Sequence, residues 1–261
     1  MKLSIVTVNY NNAEGLERTI KSVMSQTFRD FEFIIIDGGS TDSSTKVIKQ
    51  YEAQIDFWVS EKDGGIYPGM NKGLRKSKGE YVNFMNSGDC FHTPDVLEKI
   101  FALKTNADII TGTHVGSPHP NVGKYGITML DLYTGAIDHQ ASFIRRALAL
   151  NHPYDDKFKI VSDWKFFIEA LINDNCSFYY TDLVVVDVDM TGISNTNYEL
   201  NRNEREAVLK ELLPKRIIED YKYWGSIHPD VLSISSRISK SQSIRKIIVI
   251  LAKLLLKIKG V

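Results

Sequence analysis

Carboxylates recur in this chain directly after apolar runs. Phe33-Ile-Ile-Ile36 leads into Asp37-Gly-Gly-Ser-Thr-Asp42, and Tyr81-Val-Asn-Phe-Met85 leads into Asn86-Ser-Gly-Asp89. Acids at the C-terminal ends of strands lie where open α/β sheets bind ligands, and such turns suit a nucleotide together with a cation on its phosphates. Asp37 is placed to accept hydrogen bonds from a base or ribose, while Gly38-Gly39-Ser40 would let backbone approach a ligand closely. The same stretch also reads as a strand-to-helix turn with Thr41 or Asp42 as cap. Tyr10, at the end of the first apolar run, offers a flat face for a base, and Asp63 stands before Gly64-Gly65 and Met70-Asn-Lys-Gly73.

The elements that must position these residues are legible from periodicity. Leu3 to Val8, Phe33 to Ile36, Phe57 to Val59 and Tyr81 to Met85 read as strands. Between them Leu16, Ile20, Val23 and Met24, then Val47, Ile48 and Tyr51, then Met70 to Leu74 fall at helical spacing, and a helix carrying Val96, Leu97, Ile100 and Phe101 follows Pro94. Continuous apolar strands alternating with helices predict a doubly wound α/β sheet, mostly parallel. The stretch 112–126, with four glycines, two prolines and two histidines, predicts a loop on the substrate side. Phe166, Phe167, Ala170 and Leu171 predict a helix after Ser162-Asp163, and Leu183 to Val188 a last strong strand. Helical patterns dominate from Glu199, so we expect a sheet domain over 1–198 and a helical extension over 199–261.

With 261 residues, 43% hydrophobic and 25% charged, the chain can bury a full core and is not a disordered polyelectrolyte. Thirty-two basic and 32 acidic side chains cancel, which argues against nucleic acid as a partner. Two cysteines, Cys90 and Cys176, make neither a disulfide framework nor a zinc site. With an N-terminus that enters a strand directly, they lead us to expect a cytoplasmic protein.

Taken together, Ile5-Val-Thr-Val-Asn-Tyr-Asn-Asn12, Ile36-Asp-Gly-Gly-Ser-Thr-Asp42, Ser60-Glu-Lys-Asp-Gly-Gly-Ile-Tyr67, Met70-Asn-Lys-Gly73, Gly79-Glu-Tyr-Val82 and Asn86-Ser-Gly-Asp89 resemble the family 2 glycosyltransferases, inverting nucleotide-sugar enzymes of the GT-A fold. The resemblance spans roughly the first 195 residues. It implies a GT-A-like sheet, with Tyr10 stacking on the base of a nucleotide-sugar donor and Asp37 and Asp63 contacting the nucleoside. Gly39, Asn71 and Ser87 would complete the donor side, and a UDP-sugar is the expected donor. Gly38 stands where many members carry a second Asp, and Met70 where many carry an Arg.

A nucleoside diphosphate leaves readily once its charge is neutralised, and Mn2+ or Mg2+ held by aspartate does this. Asp89 is the expected ligand, although the family's Asp-x-Asp pair is replaced here by Asn86-Ser-Gly-Asp89. Asp89 could also simply cap its turn; Cys90 reads as a packing residue and His92 as a surface histidine. Inverting transfer needs one base, and Asp163 matches the family's late acidic motif, with Asp155 and Asp156 as fallbacks and a helix N-cap as the alternative role. Trp164 either stacks on an acceptor sugar or belongs to the core. His139-Gln-Ala-Ser142 resembles a family segment that places His139 and Gln140 on the acceptor side, and Gly192-Ile-Ser194 resembles a closing turn near the pyrophosphate.

From Lys215 onward ten Lys/Arg face three Asp/Glu, and 244–261 is apolar with basic interruptions and no acid. That pattern suits the interface of an anionic membrane, or a terminal helix packed on protein. The implied acceptor is a saccharide or lipid-linked saccharide in surface polysaccharide or glycolipid synthesis. A sugar-nucleotide nucleotidyltransferase and a catalytically inactive nucleotide-sugar-binding protein are the rival readings. The first would want a basic, glycine-rich loop where Asn9-Tyr-Asn-Asn12 stands.

Overall fold

The computed structural model describes residues 1–115, 126–190, 192, 197–227, 246–247 and 249–251. Its sheet has eight strands: β1 (Leu3–Asn9), β2 (Phe31–Asp37), β3 (Phe57–Ser60), β4 (Tyr81–Phe84), β5 (Cys90–Phe91), β6 (Ile109–His114), β7 (Ser142–Arg145) and β8 (Phe178–Asp187). The spatial order is β3-β2-β1-β4-β7-β6-β8-β5. The first four strands pair in parallel, so all their C-terminal ends open on one edge. Asn9 lies opposite Asp37, and Asp37 opposite Ser60. β7 joins β4 antiparallel and so begins at that same edge, which is how the segment before it reaches the acidic turns.

Helices α1 (Ala13–Met24), α2 (Ser44–Gln50), α3 (Ile66–Lys76) and α4 (Val96–Ala102) provide the crossovers. Asn12 caps α1 by accepting from the Gly15 amide at 3.1 Å, and Leu16, Ile20 and Val23 turn inward. α3 lies against β1 because Gly73 has no side chain: a Cβ there would fall 2.3 Å from Val6 Cγ1. Short helices α5 (Met129–Thr134), α6 (Arg146–Asn151) and α7 (Ser162–Ile168) follow, α7 running into a π-helical turn over Glu169–Asn173. α8 spans Tyr198–Leu212. Phe33, Tyr81, Phe84, Phe143 and Phe167 are among the largest fully buried side chains.

The α/β, GT-A-like architecture is present, with three antiparallel pairings, β4 with β7, β6 with β7 and β5 with β8. Gly112 to His114, expected in a loop, extend β6; residues 116–125 lie outside the described residues. The last strand begins at Phe178, earlier than Leu183. The chain divides into two compact units, Met1–Leu213 and Pro214–Val261, so α8 goes with the sheet. Val208 and Leu209 of α8 are buried, and buried Glu204 accepts from the Lys159 and Ile160 amides at 2.9 Å each. In the second unit α9 (Lys215–Gly225) exposes Ile217, Tyr223 and Trp224. Among the described residues no helix is long and apolar enough to cross a membrane. Most of 244–261 lies outside them.

Candidate active site

Asp37 ends β2 fully buried and wholly committed to protein donors. Oδ1 accepts from Asn9 Nδ2 at 2.7 Å and Ser40 Oγ at 2.6 Å, while Oδ2 accepts from the Ser40 amide at 2.9 Å and Ser60 Oγ at 2.6 Å. Burial pushes this carboxyl up, but those hydrogen bonds outweigh it and hold it below its ordinary value. Asp37 therefore ties together the ends of β1, β2 and β3, and a nucleoside would have to displace one of these donors to reach it. Gly39 takes a left-handed conformation (φ 78°) that lets the Ser40 amide turn back onto the carboxylate.

Asp63 keeps an unused acceptor, which Asp37 does not. Its Oδ1 accepts from the Gly65 amide at 3.1 Å, whereas buried Oδ2 has no partner. The carboxylate fills the space beside Gly38, where a Cβ would lie 3.1 Å from Oδ1 and 3.3 Å from Oδ2. The departure at position 38 thus makes room for Asp63. Tyr10 projects from the end of β1 and is 66% exposed, its ring available for stacking. Asn71 is not at the donor side: its Nδ2 donates to Tyr154 O at 2.7 Å and Asp156 Oδ1 at 2.9 Å, and its Oδ1 accepts from the Tyr154 amide. The side chain clips α3 to 154–156, which uses both of its N–H donors and one lone pair of its oxygen.

After β4 the chain turns through Asn86 to Asp89. The Ser87 carbonyl accepts from Asn12 Nδ2 at 3.2 Å, tying this turn to the start of α1. Asp89 is 4% exposed, and burial raises its carboxyl to about 6. Its Oδ1 accepts from the Asp189 amide at 2.8 Å, and Gln140 also hydrogen-bonds the carboxylate. Asn86 Oδ1 is buried without a partner, while its Nδ2 lies 3.1 Å from His139 Nε2. No group of three acidic, histidine or cysteine side chains able to hold a metal occurs among the described residues. The donor set fits a cation that takes one carboxylate from the protein and its remaining oxygens from phosphate and water.

Asp163 lies in the first turn of α7 but does not cap it, since Val161 holds that position. Its Oδ1 accepts from Tyr67 Oη at 2.8 Å, and its Oδ2 is 2.8 Å from His139 Nδ1. Burial favours the neutral acid, but His139 and Tyr67 outweigh it and keep this carboxyl below its ordinary value. The Trp164 backbone amide also hydrogen-bonds the carboxylate, which leaves an acceptor site unfilled among its two oxygens. Trp164 is core: its indole N–H donates to Leu132 O at 2.7 Å, and the Arg205 guanidinium lies 4.5 Å from the ring centroid. Asp155 is held by Lys165 at 2.8 Å and Lys157 at 3.1 Å, and Asp156 by Asn71, so neither fallback base is free. Sequence reasoning assigned no role to Tyr67 and did not foresee the His139 contact. Position 67 two residues after a glycine turn was the available signal for the first, and β7 is too short to announce the second.

Residues 4–157 match the family model for glycosyl transferase family 2. An uncharacterized glycosyltransferase of Mycobacterium tuberculosis is 31% identical over 242 residues, covering 87% of this chain and 84% of its own. A PGL/p-HBAD biosynthesis glycosyltransferase of Mycobacterium bovis is 29% identical over 234 residues, covering 86% and 91%. The fold is shared with S. aureus TarS 1-349 solved with UDP-GlcNAc (TM-score 0.66, 20% identity, 85% of this chain and 70% of that one). It is shared too with the mannosyltransferase PcManGT of Pyrobaculum calidifontis solved with GDP-Man and Mn2+ (TM-score 0.66, 14% identity, 97% and 85%).

Proposed function

The chain belongs to glycosyltransferase family 2, and on that premise we propose that it moves a sugar from a nucleoside-diphosphate donor to a saccharide hydroxyl with inversion. The observation that supports this most is the gathering of Asp63, Asp89 and Asp163 at one sheet edge, with a different environment for each carboxylate. Tyr10 stacks on the base, and the unpartnered Asp63 Oδ2 takes a hydrogen bond from the nucleoside. A uridine donor is the favoured case.

Asp163 is ionised at neutral pH and accepts the acceptor hydroxyl proton while that oxygen attacks the anomeric carbon and the bond to the diphosphate breaks. Tyr67 and His139 hold the carboxylate in one rotamer for this step. A divalent cation, held by Asp89, would neutralise the departing diphosphate when bound. The acceptor would be a surface polysaccharide or a lipid-linked saccharide. The exposed Ile217, Tyr223 and Trp224 of α9, with the basic excess beyond Lys215, favour docking on an anionic membrane face.

The test is a panel of nucleotide sugars with Mn2+ or Mg2+, read as thermal shift and as nucleoside diphosphate release. A ligand at a hundredfold its Kd should add about 2.7 kcal/mol. At least one donor should both stabilise the protein and be turned over. Stabilisation without turnover would leave a nucleotide-sugar-binding protein, and neither response would end the proposal.

A further inference from the structure

His139 stands where the parallel and antiparallel parts of the sheet meet. Asn86 follows β4, His139 precedes β7, Asp163 opens α7, and the imidazole spans them, 3.1 Å from Asn86 Nδ2 and 2.8 Å from Asp163 Oδ2. Asn83, one strand residue before the end of β4, donates to the backbone carbonyls of Gln140 at 2.8 Å and Ser142 at 3.0 Å, which fixes where the ring emerges. Both ring nitrogens are thereby engaged.

The chemistry of these partners assigns the ring a state. With the Asn86 amide nitrogen facing Nε2, a lone pair is required there, and in that arrangement the proton sits on Nδ1 and is donated to Asp163. Carboxylates pull the other way: burial disfavours the imidazolium, but Asp163, Asp89 and Asp138 together draw the ring towards protonation. An imidazolium on Asp163 would stabilise the carboxylate's charge and make it a poorer proton acceptor. An uncharged amide at position 86 withholds one more carboxylate from the ring, and the buried Asn86 Oδ1, which has no partner, is what this orientation leaves behind.

We propose that Asn86 and His139 form an uncharged positioning pair for Asp163, orienting the base from the donor-side turn and carrying no proton in the reaction. Asn86 thus serves the base, although it stands where the family's paired acids would place a metal ligand. The inference rests on Asp163 being the base.

The experiment compares His139→Phe, His139→Gln, Asn86→Asp and Asp163→Asn, with kcat, donor KM and the manganese activation curve measured for each folded variant. A Gln side chain offers a donor towards Asp163 and an acceptor towards Asn86, whereas Phe offers neither. His139→Phe should lose about 10²-fold in kcat, the scale of a misplaced reacting group, with donor KM within about threefold. His139→Gln should recover to within about tenfold of the parent, and Asn86→Asp should lower kcat without shifting the manganese curve. If Gln is as inactive as Phe, the imidazole carries a proton and the proposal is overturned. It is equally overturned if His139→Phe keeps parental kcat, or if Asn86→Asp tightens manganese activation. An Asp163→Asn variant with parental turnover would instead remove the base assignment itself.

Discussion

Replacing Tyr10 by Ala separates the donor site from the fold. The ring is 66% exposed and its hydroxyl takes part in none of the hydrogen bonds at the sheet edge, so truncation should change unfolding free energy by no more than about 0.5 kcal/mol. Its contribution should appear only when a base lies on it. Base-on-aromatic stacking is worth about 1–3 kcal/mol by truncation, and about 1.4 kcal/mol is tenfold in affinity, so Kd for UDP should rise about 5- to 150-fold. Isothermal titration of UDP into parent, Tyr10→Ala and Tyr10→Phe is the assay. Phe keeps the flat face and should stay near the parent. A ring that contacts only the base should lose equally for UDP and UDP-GlcNAc. Equal Kd values for parent and Tyr10→Ala would refute the stacking role, and a fall in Tm of several degrees would refute the claim that the ring is free of the fold.

Gly73→Ala should destabilise by about 1–3 kcal/mol in urea unfolding, because its Cβ would meet Val6 Cγ1 at 2.3 Å and move α3 off β1; a neutral result would mean that contact relaxes freely. Lys165→Met should lower stability most near neutral pH. Burial raises Asp155, but Lys165 and Lys157 outweigh it and hold Asp155 below its ordinary value, so its contribution is present above the unfolded pKa of about 3.9 and is lost as pH falls through the folded one. The gap between parent and variant in denaturant titrations should therefore shrink below about pH 4, and a pH-independent gap would contradict the ion-pair account. Deleting 244–261 should weaken binding to anionic vesicles, and salt should weaken the binding of the intact chain, while turnover of a soluble acceptor stays close to parental. Unfolding of the shortened chain would instead make the tail structural.

Asp37, Asp63 and Asp89 were legible because each follows an apolar run that can only be a strand, and parallel strands must bring their C-terminal ends together. What each acid does there was not. Asp37 turned out saturated by Asn9, Ser40 and Ser60, and only three-dimensional register brings those donors around it. Asn71 and Trp164 carried the right chemistry on the wrong face, since a buried amide that clips a loop and a core indole look the same in sequence as ligand contacts. The His139 bridge depends on β7 running antiparallel to β4, and four residues hold too little periodicity to reveal direction. Gly112 to His114 read as loop because the glycines and prolines of 112–126 depress strand propensity, yet Thr113 and His114 pair with Val184 and Val186 of β8, which carries β6 through them.

The central claim is that Asp163 is the single base of an inverting transfer. For a nucleotide sugar that the protein turns over, kcat of Asp163→Asn should fall about 10²–10⁴-fold with donor Kd nearly unchanged, because Asn keeps the size and neighbours but accepts no proton. Proton NMR of the product formed by the parent, recorded before mutarotation, should show the anomer opposite to that of the donor. A retained anomer, or an Asp163→Asn enzyme within about threefold of the parent, would contradict it.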